Sequence, residues 1–354
     1  MTEPGIKIDG FRGEGGGQVL RTALALSVVT GKAFTIDGIR AGRSKPGLMR
    51  QHLSCVQAAA DVGGDARLQG AHLGSTSLTF EPSPATHGDR TFAIGTAGAT
   101  ALLLQTVLPP LLVTPGRSRL VLEGGTHAAM APTADFIVRA FAPVLRAMGA
   151  SIEVSIEQHG FYPAGGGRIV VVVVGGTAWV ALSLLDRGPL RSACARALIA
   201  HLPAHVGHRE VLAVRTALPE LSLGRDNVKV IEVHGHGPGN ALLLDLEFEH
   251  STELICAFGA RQKSAEAVAA EVVADARIFL DAAVPVGVHL ADQLLIPLAL
   301  GARAGSGGGS FCTLALTAHT LTNIDVIRRF LDVDIRVHDD DGRVRVCVSR
   351  PSAF

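Results

Sequence analysis

Residues 13–21 read Gly13-Glu-Gly-Gly-Gly-Gln-Val-Leu-Arg21 and run straight into an apolar stretch expected to be helical over residues 19–29. The glycines allow positive φ and let a ligand reach backbone N–H groups, and the helix that follows turns its positive end toward the same place. This is the outline of a phosphate cradle. No Gly-Lys-Ser/Thr follows, so it is not a Walker loop. Gln18 stands where the third glycine of a dinucleotide fingerprint would be. Gln18 and Arg21, three residues apart, share one helical face, and Glu14 lies in the turn, so a carboxylate, an amide and a guanidinium can converge on one ligand. The same residues are also compatible with a turn that only packs tightly, with Arg21 in a surface ion pair.

The surroundings set the class. The chain has 354 residues, 47% hydrophobic and 18% charged, enough for a large core and more than one domain. Its 32 basic and 32 acidic residues cancel, so no global field draws nucleic acid or membrane, and any polyanion must be gripped locally. Five scattered cysteines without a C-x-x-C spacing argue against a disulfide framework or a thiolate zinc site, and no apolar run reaches membrane-spanning length. The expectation is a soluble protein of the reducing cytoplasm.

Outward from the cradle, strands are expected over residues 5–12 and 33–39, then a basic loop with Arg40, Arg43, Lys45 and Arg50, with Gln51 beside them, leading into a helix over 48–61. The loop suits one or two phosphates; it would serve equally as a solvated surface loop. The strand, small-residue turn and helix pattern then recurs. It returns at 94–98 with a helix expected to stop at Pro109-Pro110, and again at 120–126 with a long helix opened by Pro132-Thr133, running to Met148 and bent at Pro143. Each unit of strands and two helices can bury an apolar face only against its neighbours.

Residues 187–283 read differently, as an inserted α/β domain: helix 191–200, strands 210–217, 228–234 and 241–249, and helix 264–280. The first style resumes over 284–354 with helix 290–300, strand 311–316, helix 323–330 and a final hairpin turning at 340–342. A discontinuous main domain, residues 1–186 plus 284–354, is therefore expected.

Fourteen histidines invite metal readings, but Pro203 breaks the helix that would align His201 with His205, and no H-E-x-x-H occurs. His319 lies in Thr317-Ala-His-Thr-Leu-Thr-Asn-Ile324, before a helix that Thr322 or Asn323 could cap. A nearby positive helix end disfavours imidazolium and leaves a neutral nitrogen able to attack; a structural histidine bonded to its own loop fits the stretch as well.

Taken together, residues 13–21, the Arg40-Ala-Gly-Arg-Ser-Lys-Pro-Gly-Leu48 run with Arg50-Gln51-His52, the Leu104 to Pro109 run, His159-Gly-Phe-Tyr-Pro-Ala-Gly-Gly-Gly-Arg-Ile169, Leu290-Ala-Asp-Gln293 and His319 to Asn323 resemble the RNA 3'-terminal phosphate cyclases along nearly the whole chain. The resemblance implies an α/β (α+β) fold: a main domain of repeated units, each a four-stranded sheet packed on two parallel helices, with a smaller inserted α/β domain. It implies that His319 takes AMP from ATP, that AMP passes to an RNA 3'-phosphate, and that the neighbouring 2'-hydroxyl closes a 2',3'-cyclic phosphate. It further implies an ATP site at Gln105, Pro132, His289, Leu290, Ala291, Asp292 and Gln293. Arg21, Arg40, Arg43 and Gln51 would hold phosphate or the RNA end, and Glu14 a divalent metal, magnesium or manganese. The bacterial members have tyrosine where His289 stands and cysteine where Ala318 stands. A branch of the fold that lacks the nucleophile and acts in ribosome assembly, and the enolpyruvyl transferases of similar repeated architecture, are the alternatives. Oligomeric state is not legible.

Overall fold

The computed structural model describes residues 5–13, 15–340 and 342–351. The first unit comprises β1 (Ile6–Asp9), α1 (Gln18–Thr30), β2 (Phe34–Asp37), α2 (Arg50–Val62), β3 (Arg67–Gln69) and β4 (Ser77–Glu81). Its sheet has the order β1-β2-β4-β3, with β1 and β2 parallel, Ile6 opposite Phe34, and the remaining pairs antiparallel. The second unit repeats that order. It contains β5 (Asp89–Ala93), α3 (Thr100–Val113), β6 (Gly116–Gly124), α4 (Ala134–Phe136), α5 (Ala142–Ala147), β7 (Ser151–Gln158) and β8 (Gly167–Gly175), arranged β5-β6-β8-β7.

A third copy starts with β9 (Leu182–Leu184) and is interrupted before its helices. The intervening residues form β10 (Leu190–Ala200), α6 (Ala204–Ala217), β11 (Val228–Glu232), β12 (Gly239–Phe248), β13 (Thr252–Phe258) and α7 (Ala265–Ala282), with a sheet ordered β11-β10-β12-β13. The third unit then continues with α8 (Val288–Ala304), β14 (Gly309–Thr313), α9 (Ala318–Phe330), β15 (Asp334–Asp340) and β16 (Arg343–Ser349), again in the order β9-β14-β16-β15. The units therefore carry four-stranded sheets, as the resemblance implied. One apolar core joins the three repeats around buried Leu20, Leu24, Leu103, Leu290, Leu294 and Ile327; another, with Val214, Leu242, Leu244 and Val272, lies within the intervening segment.

Several local expectations are corrected. Residues 191–200 form a strand, not a helix, because they lie between β11 and β12 with both faces covered from Ala195 onward. A buried strand of this kind shows a continuous apolar run with no period. Residues 210–217 are helical: Gly207, Glu210, Val211 and Val214 bury one face at helical spacing. β13 was not expected.

Helix α3 continues through Pro109 and Pro110 to Val113, Thr114 N–H closing on Pro110 at 3.0 Å. The prolines remove two backbone donors, yet the helix is buried nearly all round among α1, α2, β6 and β8, and that packing outweighs the lost bonds. Near Pro143 the ladder opens into a wide turn over Ile137–Phe141, where Ala142 N–H reaches back to Ile137. Helix α9 begins at Ala318, capped by Thr317, whose hydroxyl accepts from Thr320 N–H at 3.1 Å; Thr322 and Asn323 are inside the helix, and His319 is in its first turn.

Candidate functional site

The site forms where α1, α3, α8 and α9 meet. Gly17 precedes α1 without any side-chain cap, so the first-turn N–H groups open toward the cradle. A Cβ at Gly17 would strike the His52 ring and stand 3.0 Å from Arg21 Nη1, which is the close approach that requires glycine there. Arg21 is almost fully buried; burial lowers its pKa, against the opposing fields of Cys55 and Asp292.

Asp292 organises the centre. Its Oδ1 accepts from Gln18 Nε2 at 2.6 Å and Asn323 Nδ2 at 3.2 Å, and its Oδ2 accepts from Gln293 Nε2 at 3.1 Å. Gln293 Oε1 accepts in turn from Gln105 Nε2 at 2.5 Å, and Asn323 Oδ1 from the Thr22 hydroxyl at 2.8 Å. Four helices from three repeats are tied by these amide bonds. Burial raises the Asp292 pKa in spite of the Gln18 bond. A cavity of about 40 Å³ lies here, lined by Gln18, Arg21, Gln105, Asp292, Gln293 and Asn323 over an apolar floor that includes Leu108 and Ile296. Gln18 Oε1 and Arg21 Nε make no hydrogen bond to the described protein atoms.

His319, in the first turn of α9, titrates together with Asp292. Burial lowers its pKa, Asp292 opposes this, and the charges of Arg21 and Arg43 add to the lowering. The shift favours the neutral imidazole, with guanidinium groups close by, the state a nitrogen nucleophile facing a phosphate requires. His289 is also lowered, first by burial, and feels Asp292, Asp275 and His319. The sequence-selected Arg21, Arg43, Gln105, His289, Asp292, Gln293 and His319 thus fall into one neighbourhood.

The other selected residues take different positions. Leu290 and Ala291 are fully buried, so their side chains pack in the core. Pro132 precedes the Thr133 cap of α4, outside the cavity lining. Arg40 adopts φ 55° and donates to Lys45 O at 2.5 Å and Gly47 O at 3.1 Å, bracing its own loop. Gln51 Oε1 accepts from Ala99 N–H at 3.4 Å, joining α2 to the second unit. His52 is held at about 3 by burial together with the Arg21 and Arg40 charges. Glu14 lies outside the described residues. Thr22 and Asn323 were missed as site residues; Thr22 is four residues from Gln18 on the same helix face, which is the signal that could have found it.

Both oxygens of Asp292 are occupied by amide donors, so it does not present itself as a metal ligand. Among the described residues, one group has metal-ligand chemistry: His127, Asp135 and His159. His127 Nε2 bonds Asp135 Oδ2 at 3.0 Å and its Nδ1 bonds the Thr126 hydroxyl at 2.9 Å. Arg196 of β10 donates to Asp135 Oδ1 at 2.7 Å and clasps Asp245 at 2.7 and 3.1 Å. Burial opposes ionisation of Asp135, but the His127 bond and the His127 and Arg196 charges hold its pKa below the carboxylate range. The guanidinium already neutralises this carboxylate and both His127 nitrogens are bonded, so the cluster fastens β10 and β12 to the second unit and does not suit a cation.

Fold and site define an α/β protein of repeated four-stranded units with a small polar cavity set among Gln18, Arg21, Gln105 and Asp292, close to His319. Residues 12–337 match the family described as RNA 3'-terminal phosphate cyclase. Proteins named RNA 3'-terminal phosphate cyclase from Salmonella paratyphi C, Koribacter versatilis and Pseudomonas fluorescens are 48%, 45% and 48% identical, covering 98%, 97% and 95% of this chain and 97%, 95% and 95% of their own. The chain belongs to the RNA 3'-terminal phosphate cyclase family. A solved EPSP synthase from Acinetobacter baumannii overlaps at TM-score 0.31 with 13% identity over 97% of this chain and 64% of its own, a likeness too slight to carry an argument.

Proposed function

We propose that this protein is an ATP-dependent RNA 3'-phosphate cyclase acting through a covalent histidyl-AMP at His319. The observation that carries the reading is the placement of His319 in the first turn of α9 beside Arg21, Arg43 and Asp292, where burial lowers the pKa of the imidazole. In the first step a His319 nitrogen attacks the α-phosphorus of ATP, a P–N bond forms, and the P–O bond to pyrophosphate breaks. A 3'-phosphate oxygen of RNA next displaces the histidine, taking AMP. The vicinal 2'-hydroxyl then attacks the RNA 3'-phosphorus and loses its proton, the P–O bond to AMP breaks, and the 2',3'-cyclic phosphate closes with AMP released. A terminal phosphate with nearly two negative charges is a poor electrophile, and adenylylation gives it a good leaving group.

Arg21 and Arg43, with Arg40 and Gln51 at the rim, are assigned to the phosphates, where fixed positive charge stabilises the transition state. Gln105, Pro132 and the 289–293 segment are assigned to ATP. A divalent cation, magnesium or manganese, belongs to the reading through Glu14. Asp292, the carboxylate at the centre, is already engaged by the Gln18, Asn323 and Gln293 amides.

Residues 1–186 with 284–354 are read as the catalytic domain and 187–283 as the inserted one. Among the described residues no helix is long and apolar enough to cross a membrane. The described cysteines are all unpaired, which suits a cytoplasmic location.

The test is incubation with α-labelled ATP and a divalent metal, followed by denaturation. The wild-type protein is expected to carry an acid-labile, alkali-stable label, and His319→Ala to carry none while remaining folded. Full labelling of His319→Ala would refute the mechanism.

A further inference from the structure

Among the described residues, every phenylalanine, tyrosine and tryptophan is buried or half-buried except two, Phe11 at 64% and Tyr162 at 76% exposure. Single exposed apolar side chains are ordinary on a protein surface. Here Phe11 sits beside the glycine cradle, and Tyr162 sits on a loop that contacts Ala97, in the turn that meets Gln51 of the basic segment. Phe11 lies between the cradle and the basic loop: a Cβ at Gly15 would stand 3.5 Å from Phe11 O and 3.6 Å from Gly42, and one at Gly38 would stand 3.6 Å from Phe11 N.

Tyr162 belongs to the glycine-rich segment 159–169, whose base is anchored rigidly. Thr126 and His127 N–H groups bond Gly160 O at 2.9 and 3.0 Å, and Gly165 N–H bonds Phe161 O at 2.7 Å. Phe161 is buried, its ring 5.4 Å from that of His127. The loop is wedged between two neighbours. A Cβ at Gly165, φ 67°, would stand 3.0 Å from Ala97 Cα, and one at Gly166, φ 72°, would collide with the His236 ring. The glycines are therefore needed for close approach, and they leave Tyr162 pointing away from a fixed base.

Ala97 leads to the phosphate site. A Cβ on its neighbour Gly98 would be 3.3 Å from Gln51 Cβ, and Ala99 bonds the Gln51 amide. Gln51 is followed by His52, whose ring lies against Gly17 beside Arg21. An exposed aromatic face thus stands on a rigid loop along the rim that runs through Gln51 to Arg21. A strand whose terminal phosphate is held there must lay its preceding bases across this rim. A net-neutral chain has no broad positive field to hold that strand, whereas stacking on a ring accepts any base.

We propose that Tyr162 is a stacking platform for a base of single-stranded RNA upstream of the terminal nucleotide. The proposal rests on the cyclase reading, so its test separates the two. Tyr162→Ala, Tyr162→Phe and the wild type are compared on an oligoribonucleotide ending in a 3'-phosphate, and on the same oligoribonucleotide made abasic at every position upstream of the terminal nucleotide. Protein labelling by α-labelled ATP is measured without RNA, and RNA binding by fluorescence anisotropy without ATP.

The expected result for Tyr162→Ala is a rise on the order of 10-fold in both Kd and KM for the intact RNA, with kcat within about twofold, as loss of one base–aromatic stack predicts. Tyr162→Phe restores binding, and the difference between wild type and Tyr162→Ala disappears on the abasic RNA. Equal Kd for wild type and Tyr162→Ala, an undiminished penalty on the abasic RNA, or no rescue by phenylalanine overturns the proposal while leaving the cyclase reading intact. Loss of protein labelling in Tyr162→Ala would place the ring against ATP and overturn it as well. Absence of labelling in the wild type would instead refute the catalytic reading, and the anisotropy arm would still decide the stacking.

Discussion

Glu253 offers a stability test whose sign and size follow from its surroundings. It lies on β13, is 4% exposed, and accepts from Gly287 N–H at 3.1 Å, just before α8, the helix that carries His289, Asp292 and Gln293. Gly287 is glycine for a reason: a Cβ there would lie 2.5 Å from the Glu253 carboxyl carbon. Burial pushes this carboxyl up to about 8, from an ordinary 4.5, and the single bond from Gly287 offsets only part of that cost. An acid with a raised pKa holds its proton in the folded chain between 4.5 and about 8, a window in which the unfolded chain has lost it. Stability must therefore fall as pH rises through that window. At ~1.36 kcal/mol per pH unit the loss approaches about 5 kcal/mol above pH 8.

Glu253→Gln keeps the shape and the acceptor for Gly287 N–H but cannot ionise. Thermal unfolding of both proteins between pH 5 and pH 9 is expected to give curves that converge toward pH 5 and separate as pH rises. At pH 9 the variant should be higher in Tm by on the order of 10 °C, at roughly 2–4 °C per kcal/mol for a chain of this scale. Because α8 starts at this carboxyl, KM for ATP in the wild type should also rise above pH 8 while that of Glu253→Gln stays flat. Parallel stability curves across the whole range would show that Glu253 is not protonated in the folded chain, and the argument from its burial would fail.

Two further outcomes are expected. Arg43→Ala should lower kcat/KM for RNA cyclisation by ~10- to 100-fold, the scale of one lost charge-assisted contact, and unchanged activity would return the basic loop to the solvated surface. Asp135→Asn leaves Arg196 with one carboxylate fewer in a buried network and should cost roughly 3 kcal/mol by thermal or denaturant unfolding. Because the Asp135 pKa is lowered, its contribution is complete above the ordinary carboxylate range and is lost only as pH falls through that depressed value. The Asp135→Asn penalty should therefore persist at pH 8, where the stabilisation from protonated Glu253 is lost, and a penalty that vanished there would refute the assignment.

Much of this protein is local, and what is local was legible. The glycine turn into α1, the alternation of β2, the Thr133 start of the α4 region and the irregularity near Pro143 are each written within a few residues, because φ, capping and periodicity act over one or two turns. Where a segment's burial is set by distant neighbours, local reading failed. Residues 191–200 are alanine-rich and read as helix, but β11 and β12 pair with them on both sides and make them a central strand. Residues 109–110 read as a stop, but the packing around α3 carries the helix past both prolines.

The site divides the same way. Arg21, Gln105, Asp292 and His319 could be selected from their motifs because those motifs are contiguous in the chain. Their bonding could not. Gln18 reaches Asp292 across 274 residues and Thr22 reaches Asn323 across 301, and the Arg196 to Asp135 contact crosses from β10 to the start of α4. Sequence by itself determined the chemical inventory and the strand–turn–helix pieces that carry it. Only the tertiary structure decided that four helix faces close on Asp292, that burial lowers the His319 pKa among arginines, and that β10 and β13 fasten to the repeats through Arg196 and Glu253. Hydrophobic periodicity tells which face of an element is buried, and the partner that covers it is chosen by the packing of the whole chain.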